Sequence, residues 1–239
     1  MLRSTLVLAL FCLSTASGVR AAAGVEIAVC HGYGCVIEAT IHYDDAQLAA
    51  IGQTLRAAVD AAEERKMLAD VLGQLYAWAG AQSDIHNDRG GNYADAGMPG
   101  RMDCIDHATS TTRLLHLLAA RGDLRWHRVL EPQVRHALWL FPAHYSAVIE
   151  EIDREAVGGA REAARPEPPG EAAGRAAALA GREEEGSTEG SDDGGEDTAA
   201  QAPDEDAGRF AVDSWFVDNG QPAVILPLGE WKKGAGPDV

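Results

Sequence analysis

The chain has 239 residues, 46% of them hydrophobic, and a formal net charge of −17. This length suits one domain with appended segments. The strong negative charge argues against nucleic acid and anionic membrane surfaces as partners, because both repel an acidic protein.

Residues 1–23 have the pattern of a secretory signal peptide. Arg3 provides the positively charged start, residues 6–13 form a short apolar core, and small residues around Ala23 form a cleavage region. The apolar run is too short to span a bilayer, and no later run is long enough. The sequence therefore predicts a periplasmic or secreted protein that does not insert into a membrane.

Three cysteines follow the signal segment: Cys30, Cys35 and Cys104. In an oxidising compartment Cys30 and Cys35 are spaced for a tight disulfide, and the glycines between them allow the turn. Cys104 is then unpaired, and an unpaired cysteine in an exported protein needs an explanation. It is a reactive thiol or a buried structural one, or else it pairs with one of the other two.

Two helices are predicted between the cysteine pair and Cys104. Residues 45–60 and 63–79 carry apolar side chains at helical spacing and are expected to be scaffold. The segment 82–100 is rich in Gly, Asp and Asn, which predicts a loop that leads to Cys104. Asn92 or Gln82 could provide a side-chain donor to an oxyanion hole.

The residues around Cys104 have the pattern of a helix N-terminus. Asp103 is a favourable N-cap, and Asp106 completes a variant capping box. Cys104 would therefore lie in the first helical turn, where backbone N–H groups and the helix dipole favour a thiolate. The two aspartates oppose that charge, so the thiolate needs a cationic partner such as an imidazolium.

A long acidic segment separates two predicted strands. Residues 155–208 contain 15 acidic and four basic side chains and no aromatic one. Such a segment buries too little apolar surface to offset its chain entropy, which predicts a disordered acidic insert. The flanking strands, 144–152 and 209–216, are expected to pair as a hairpin with the insert at its tip.

Cys104 on a helix, His144 at the start of a strand and Asp213 on the next strand form a candidate triad. A cysteine nucleophile needs a base within hydrogen-bond reach, and the base needs a third group that fixes its tautomer. His136 is the alternative base. Asp218, in a predicted turn, is an alternative third group.

The order and placement of these residues resemble the transglutaminase-like cysteine peptidase superfamily. The run Asp103-Cys104-Ile105-Asp106-His107-Ala108 is similar to the Asp-Cys-x-Asp-Tyr-Ala run of bacterial transglutaminase-like cysteine proteases. The run Val212-Asp213-Ser214-Trp215 is similar to the aspartate strand of transglutaminase cores, and His136-Ala137-Leu138-Trp139 resembles the family's His-Ala-Trp-Val strand. The resemblance covers residues 100–215 without the insert.

Two departures from the family pattern lie in the cysteine motif. His107 replaces the usual aromatic residue. Ile105 stands where the calcium-dependent periplasmic members have an acidic residue, which argues against a calcium requirement.

The resemblance implies an α+β fold with a papain- or transglutaminase-like core, in which the cysteine helix packs on an antiparallel sheet. The expected organisation is a signal peptide (1–23), one domain (24–154 plus 209–239) and the insert (155–208). The expected function is an exported thiol hydrolase or acyl transferase that acts on amide or peptide bonds of a protein or peptide substrate. It would use Cys104, His144 and Asp213, without a cofactor or a metal.

Two other classes of function stay open at this stage. A metal site would use His107, His136 and His144 with carboxylates, although these residues lack the close spacing of zinc motifs. A non-catalytic binding or assembly protein would keep the fold without the activity. The sequence also leaves open the choice between hydrolysis and acyl transfer, and the oligomeric state.

Overall fold

The computed structural model describes residues 24–136, 143–153 and 205–237. The predicted signal peptide and all but the last four residues of the predicted insert lie outside these ranges, as do residues 137–142. The elements in chain order are β1 (Gly24–His31), β2 (Ile37–Asp44), α1 (Asp45–Arg56), α2 (Ala61–Gly80), a 3-10 turn (Asp84–Asn87), α3 (Cys104–Ala120), β3 (His127–His136), β4 (Ala143–Glu151), β5 (Arg209–Asp213), β6 (Val224–Pro227) and α4 (Leu228–Lys232).

The strands form two antiparallel sheets. β1 and β2 pair as a hairpin, and the second sheet has the order β3-β4-β5-β6. In the second sheet, the strands on either side of the predicted insert pair antiparallel, with Ala147 opposite Val212 and Glu150 opposite Arg209. The predicted α+β class and the predicted hairpin are therefore both confirmed.

The core lies between the helices and one face of each sheet. α3 contacts β1, β3, β4 and β5, and α2 lies against α1 and the 3-10 turn. The fully buried side chains of this core include Leu48, Leu68, Leu72, Leu75, Leu114, Leu115 and Leu118. They come from α1, α2 and α3, at the helical spacing seen in the sequence. None of the helices in the described ranges is both long and apolar enough to cross a membrane.

Some element boundaries differ from the predicted ones for identifiable reasons. α1 ends at Arg56, four residues early, because Asp60 is the N-cap of α2 and accepts the N–H of Glu63. β3 continues past Pro132. A register shift between Leu130 and Gln133 accommodates this proline, which has no N–H to donate.

Candidate active site

Cys104 occupies the first position of α3, as predicted. The Asp103 side chain accepts the N–H groups of Ile105 and Asp106, and the Asp106 side chain accepts the N–H of Asp103, so the capping box is present. Cys104 is unpaired and partly exposed, and its Sγ lies 3.8 Å from the carbonyl oxygen of Ala143. Among the described residues no group accepts the N–H of Cys104, as expected for the first turn of a helix.

The structure brings His144 and Asp213 together next to this cysteine. His144 Nε2 lies 2.7 Å from Asp213 Oδ2. Since Nε2 faces the carboxylate, Nδ1 is the ring nitrogen left for the thiol. Burial lowers the pKa of His144, but hydrogen bonds and charge from Asp213 and Cys104 outweigh it and raise the pKa to about 9.

His144 lies at the start of β4 and Asp213 at the end of β5, on the opposite face of the sheet from the one that α3 covers. Side chains alternate along a strand, so His144 and Asp213 project from the same face as Val148 and Ala211, which pack on α4. Cys104 lies next to the start of β4, where its Sγ contacts the carbonyl oxygen of Ala143, the residue before His144.

Two tryptophans hold the Asp213 carboxylate. Trp231 Nε1 donates to Oδ2 at 2.8 Å, and the Trp215 backbone N–H donates to Oδ1 at 3.2 Å. The rings of Trp215, Phe216 and Trp231 lie 4.9, 5.5 and 5.7 Å from the His144 ring, measured between centroids. Trp231 was not among the residues predicted from the sequence. The indication of a structural role in the sequence is that a large aromatic residue stands in an otherwise polar C-terminal segment.

The alternative residues for these roles lie elsewhere. His136 is exposed and pairs with Ala143, whereas its neighbour Arg135 is the residue opposite His144, so His136 projects from the other face of the sheet. Asp218 accepts the N–H of Gly90 and holds the loop before α3.

A cleft of about 720 Å³ opens beside the cysteine. Its lining residues are Tyr33, Asn92, Tyr93, Asp103, Cys104, Ile105, Arg135, Ala143, His144 and Trp215. This volume lies within the range of small-molecule and peptide subsites.

Of the two predicted oxyanion donors, only Asn92 lines this cleft. Its Nδ2 donates to Asp95 Oδ1 at 2.8 Å. The Gln82 side chain instead bonds the backbone N–H and carbonyl of His42 and the carbonyl of Trp78, so it holds the end of β2. The N–H of Cys104 and the second Nδ2 hydrogen of Asn92 are therefore the donors that remain for an oxyanion.

The predicted disulfide between Cys30 and Cys35 is present, and it closes an unusual turn. All four residues from Gly32 to Cys35 have positive φ, between 59° and 86°. This left-handed backbone aims three successive N–H groups at the start of α3: Tyr33 and Cys35 donate to Asp106, and Gly34 donates to Asp103. Consecutive N–H groups of this kind form an anion-binding concavity.

This turn reduces the unfavourable effect that the two aspartates have on a thiolate. With the capping bonds, six backbone N–H groups donate to the carboxylates of Asp103 and Asp106. Burial raises the pKa of Asp106, and the adjacent Asp103 carboxylate adds to the shift, although the N–H bonds oppose it. The N–H groups therefore offset part of the negative charge beside Cys104.

A second set of side chains of the same type, Ser214, His107 and Asp88, is buried in the interior. His107 Nδ1 lies 2.9 Å from Ser214 Oγ, and His107 Nε2 lies 3.0 Å from Asp88 Oδ2. The Ser214 hydroxyl also contacts Thr111, and Asp88 accepts the N–H of Met102. The adjoining cavity has only about 10 Å³, enough for one water at most. These groups are structural, because they tie the loop before α3 to the end of β5.

The three histidines of the hypothetical metal site do not converge. His107 is bonded to Ser214 and Asp88, His144 is bonded to Asp213, and His136 faces outward. Within the described ranges, the only close group of three metal-binding side chains is Cys30, Cys35 and Glu38. Its two sulfur atoms are joined in the disulfide, which leaves no thiolate for a metal.

The chain matches no protein-family model, no curated protein and no solved structure. The side chains of the cleft are therefore the basis for inferring what the protein does.

Proposed function

We propose that the protein is an exported thiol hydrolase of the transglutaminase-like cysteine peptidase type, which cleaves amide or peptide bonds. The observation that carries the proposal is the set Cys104, His144 and Asp213 at one end of an open cleft. The thiol begins a helix, the imidazole is next to it, and a buried carboxylate fixes the imidazole. Each group has the neighbour that its role requires.

The acylation step follows from this arrangement. A pKa of about 9 keeps the His144 ring protonated at neutral pH, and an imidazolium beside the thiol favours the thiolate. The Cys104 sulfur attacks the amide carbonyl, and the Cys104 N–H and the Asn92 amide stabilise the oxyanion. The C–N bond then breaks as His144 gives its proton to the leaving amine, which leaves a thioester.

The deacylation step reverses these roles. His144, now neutral, takes a proton from water as the water attacks the thioester carbonyl. The C–S bond breaks, and the cysteine leaves as thiolate beside the reprotonated imidazole. An amine in place of water would give acyl transfer, but hydrolysis is the favoured outcome in a dilute exported setting.

The proposal is tested with the full chain and two reagents. Iodoacetamide should alkylate Cys104 selectively at pH 6.5, and the same treatment should abolish cleavage of a complex peptide mixture followed by mass spectrometry. Cys104→Ala should show neither reaction. His144→Ala should lower the alkylation rate at pH 6.5 at least tenfold, the effect of losing an imidazolium partner of the thiolate.

His136→Ala is the matched control, because it removes the alternative base and leaves the cleft unchanged. Its alkylation rate should stay within about twofold of the wild-type rate. An unchanged rate in His144→Ala, or a large loss in His136→Ala, would contradict the assignment of the base.

A further inference from the structure

Arg135 is the only arginine or lysine among the described residues that line the cleft. It lies directly opposite His144 in the β3–β4 pairing, so both side chains project from the same face of the sheet. It places a positive charge in the cleft of a chain whose net charge is −17.

The Arg135 guanidinium is held in place by uncharged groups. Nη1 donates to the carbonyl oxygens of Trp231 and Ala235 at 2.7 and 2.8 Å. The guanidinium carbon lies 4.9 Å from the centre of the Trp231 ring and 5.7 Å from that of Phe216. Carbonyls and rings orient a cation but do not neutralise it, so the positive charge is preserved.

The carboxylate that shares the cleft lining with Arg135, Asp103, and the one that interacts with it electrostatically, Asp213, are already hydrogen-bonded to other groups. Asp103 accepts three backbone N–H groups, and Asp213 accepts His144, Trp231 and the Trp215 N–H. Within the described part of the chain, Arg135 forms no ion pair, and its Nη2 and Nε have no acceptor. Burial lowers the pKa of Arg135, as expected for a cation without a close counter-charge, while Asp213 opposes the shift.

We infer that Arg135 binds a carboxylate of the substrate, so that the protein prefers amides and peptides with an acidic group next to the bond that Cys104 attacks. The inference depends on the proposed hydrolase function and adds its substrate class. A guanidinium with one edge held by the protein presents its remaining N–H groups to a carboxylate with little loss of freedom. The carboxylate can belong to an acidic side chain or to the free C-terminus of a peptide.

A pair of small alkylating agents tests this without knowledge of the substrate. Iodoacetate and iodoacetamide both lose iodide as the thiolate forms a C–S bond, but only iodoacetate carries a carboxylate. Arg135→Gln should lower the rate of Cys104 alkylation by iodoacetate, relative to iodoacetamide, about tenfold, the typical effect of one charge-assisted contact. Arg135→Lys keeps the charge and should retain most of the preference.

Arg128→Gln is the control, because Arg128 lies on the same strand but is exposed and paired with Glu150. Its iodoacetate-to-iodoacetamide ratio should equal that of the wild type. If iodoacetamide reacts rapidly with Cys104 while Arg135→Gln leaves the ratio unchanged, the carboxylate subsite is wrong and the hydrolase proposal stands. If iodoacetamide reacts with Cys104 no faster than with a free thiol in solution, the proposed hydrolase function is wrong, whatever the effect of Arg135→Gln.

Peptide reagents identify the source of the carboxylate. Peptidyl chloromethyl ketones that end in Glu or Gln differ only in a side-chain carboxylate, and peptides with a free or amidated C-terminus differ only in an α-carboxylate. A preference for the acidic member of either pair, lost in Arg135→Gln, supports the subsite and names its source. Equal rates within both pairs would overturn it.

Discussion

The cleft triad (Cys104, His144 and Asp213) and the buried triad (Ser214, His107 and Asp88) are built from the same kinds of groups. In both, Nε2 of the imidazole faces a carboxylate, at 2.7 Å in the cleft and 3.0 Å in the core. The space beside them differs by almost two orders of magnitude, about 720 Å³ against about 10 Å³. A nucleophile–histidine–carboxylate arrangement therefore indicates a reaction only where a substrate can reach it.

The two triads also differ in what their bonds do for the fold. The buried one ties the loop before α3 to the end of β5, with Thr111 and Tyr76 as further members of the network. The cleft one leaves Cys104 partly exposed and an N–H at the helix start without a partner among the described residues. The first arrangement serves stability, and the second keeps its polar groups available to a ligand.

The largest expected difference between the triads is in chemical labelling. Cys104→Ala should abolish alkylation by iodoacetamide in the folded protein, whereas Ser214→Ala should leave its rate within about twofold, because Ser214 is 5% exposed and lies outside the cleft lining. A fluorophosphonate reagent should not label Ser214. Mass spectrometry of the labelled peptides measures both, and a phosphonylated Ser214 would break the comparison.

In urea unfolding, a substitution in the buried triad should have a larger effect than one in the cleft triad, the reverse of the order expected for labelling. His107→Ala leaves the buried Asp88 carboxylate and the Ser214 hydroxyl without a partner, so we expect a loss of about 3 kcal/mol in the free energy of unfolding. Cys104→Ala removes one partly exposed sulfur and should cost less than about 1 kcal/mol. Equal losses in the two variants would show that the buried triad is not the structural one.

The disulfide turn should support the cleft triad specifically. Replacing both Cys30 and Cys35 with serine opens the turn, and we expect a loss of about 2 kcal/mol for a loop of this length. The alkylation rate of Cys104 should also fall, because the turn supplies three of the N–H groups that compensate Asp103 and Asp106. An unchanged rate in a destabilised double variant would mean that these N–H groups do not influence the thiol.

A smaller effect is expected in the pH dependence of stability. The folded-state pKa of His144 is raised to about 9, above the ordinary value of 6.5. Its contribution is therefore fully present below about pH 6.5 and is lost as the pH rises through about 9. The gap in unfolding free energy between the wild type and His144→Ala should narrow over this window by about 1 kcal/mol, since water screens part of the interaction. A gap that widens over the same window would contradict the shift.

The sequence was most informative where a local pattern determines the structure. Helix spacing, the Asp103 cap and the close cysteine pair are local features, and each is present. The pairing of the strands around the insert is long-range, but it was predictable because each strand has its own apolar run. Contacts made by side chains and backbone groups of turns and chain ends were not predictable in the same way. Trp231 reaches Asp213, and Gly34 reaches Asp103, only because the chain folds back over many residues.

The two histidine roles show the same limit. His107 lies in the cysteine motif, and its spacing gives no indication that it bonds Asp88 in the loop and Ser214 after β5. Strand pairing favours His144 over His136, because the strand of His144 pairs directly with that of Asp213, and the register places the two histidines on opposite faces of the sheet.

The most direct test is the rate of Cys104 alkylation by iodoacetamide as a function of pH, in the wild type and in His144→Ala. A protonated His144 beside the sulfur predicts that the wild type reacts at least tenfold faster than His144→Ala at pH 6.5, and that this advantage shrinks as the pH rises towards 9, where the imidazolium loses its proton. A wild-type profile that superimposes on that of His144→Ala would contradict the thiolate–imidazolium pair.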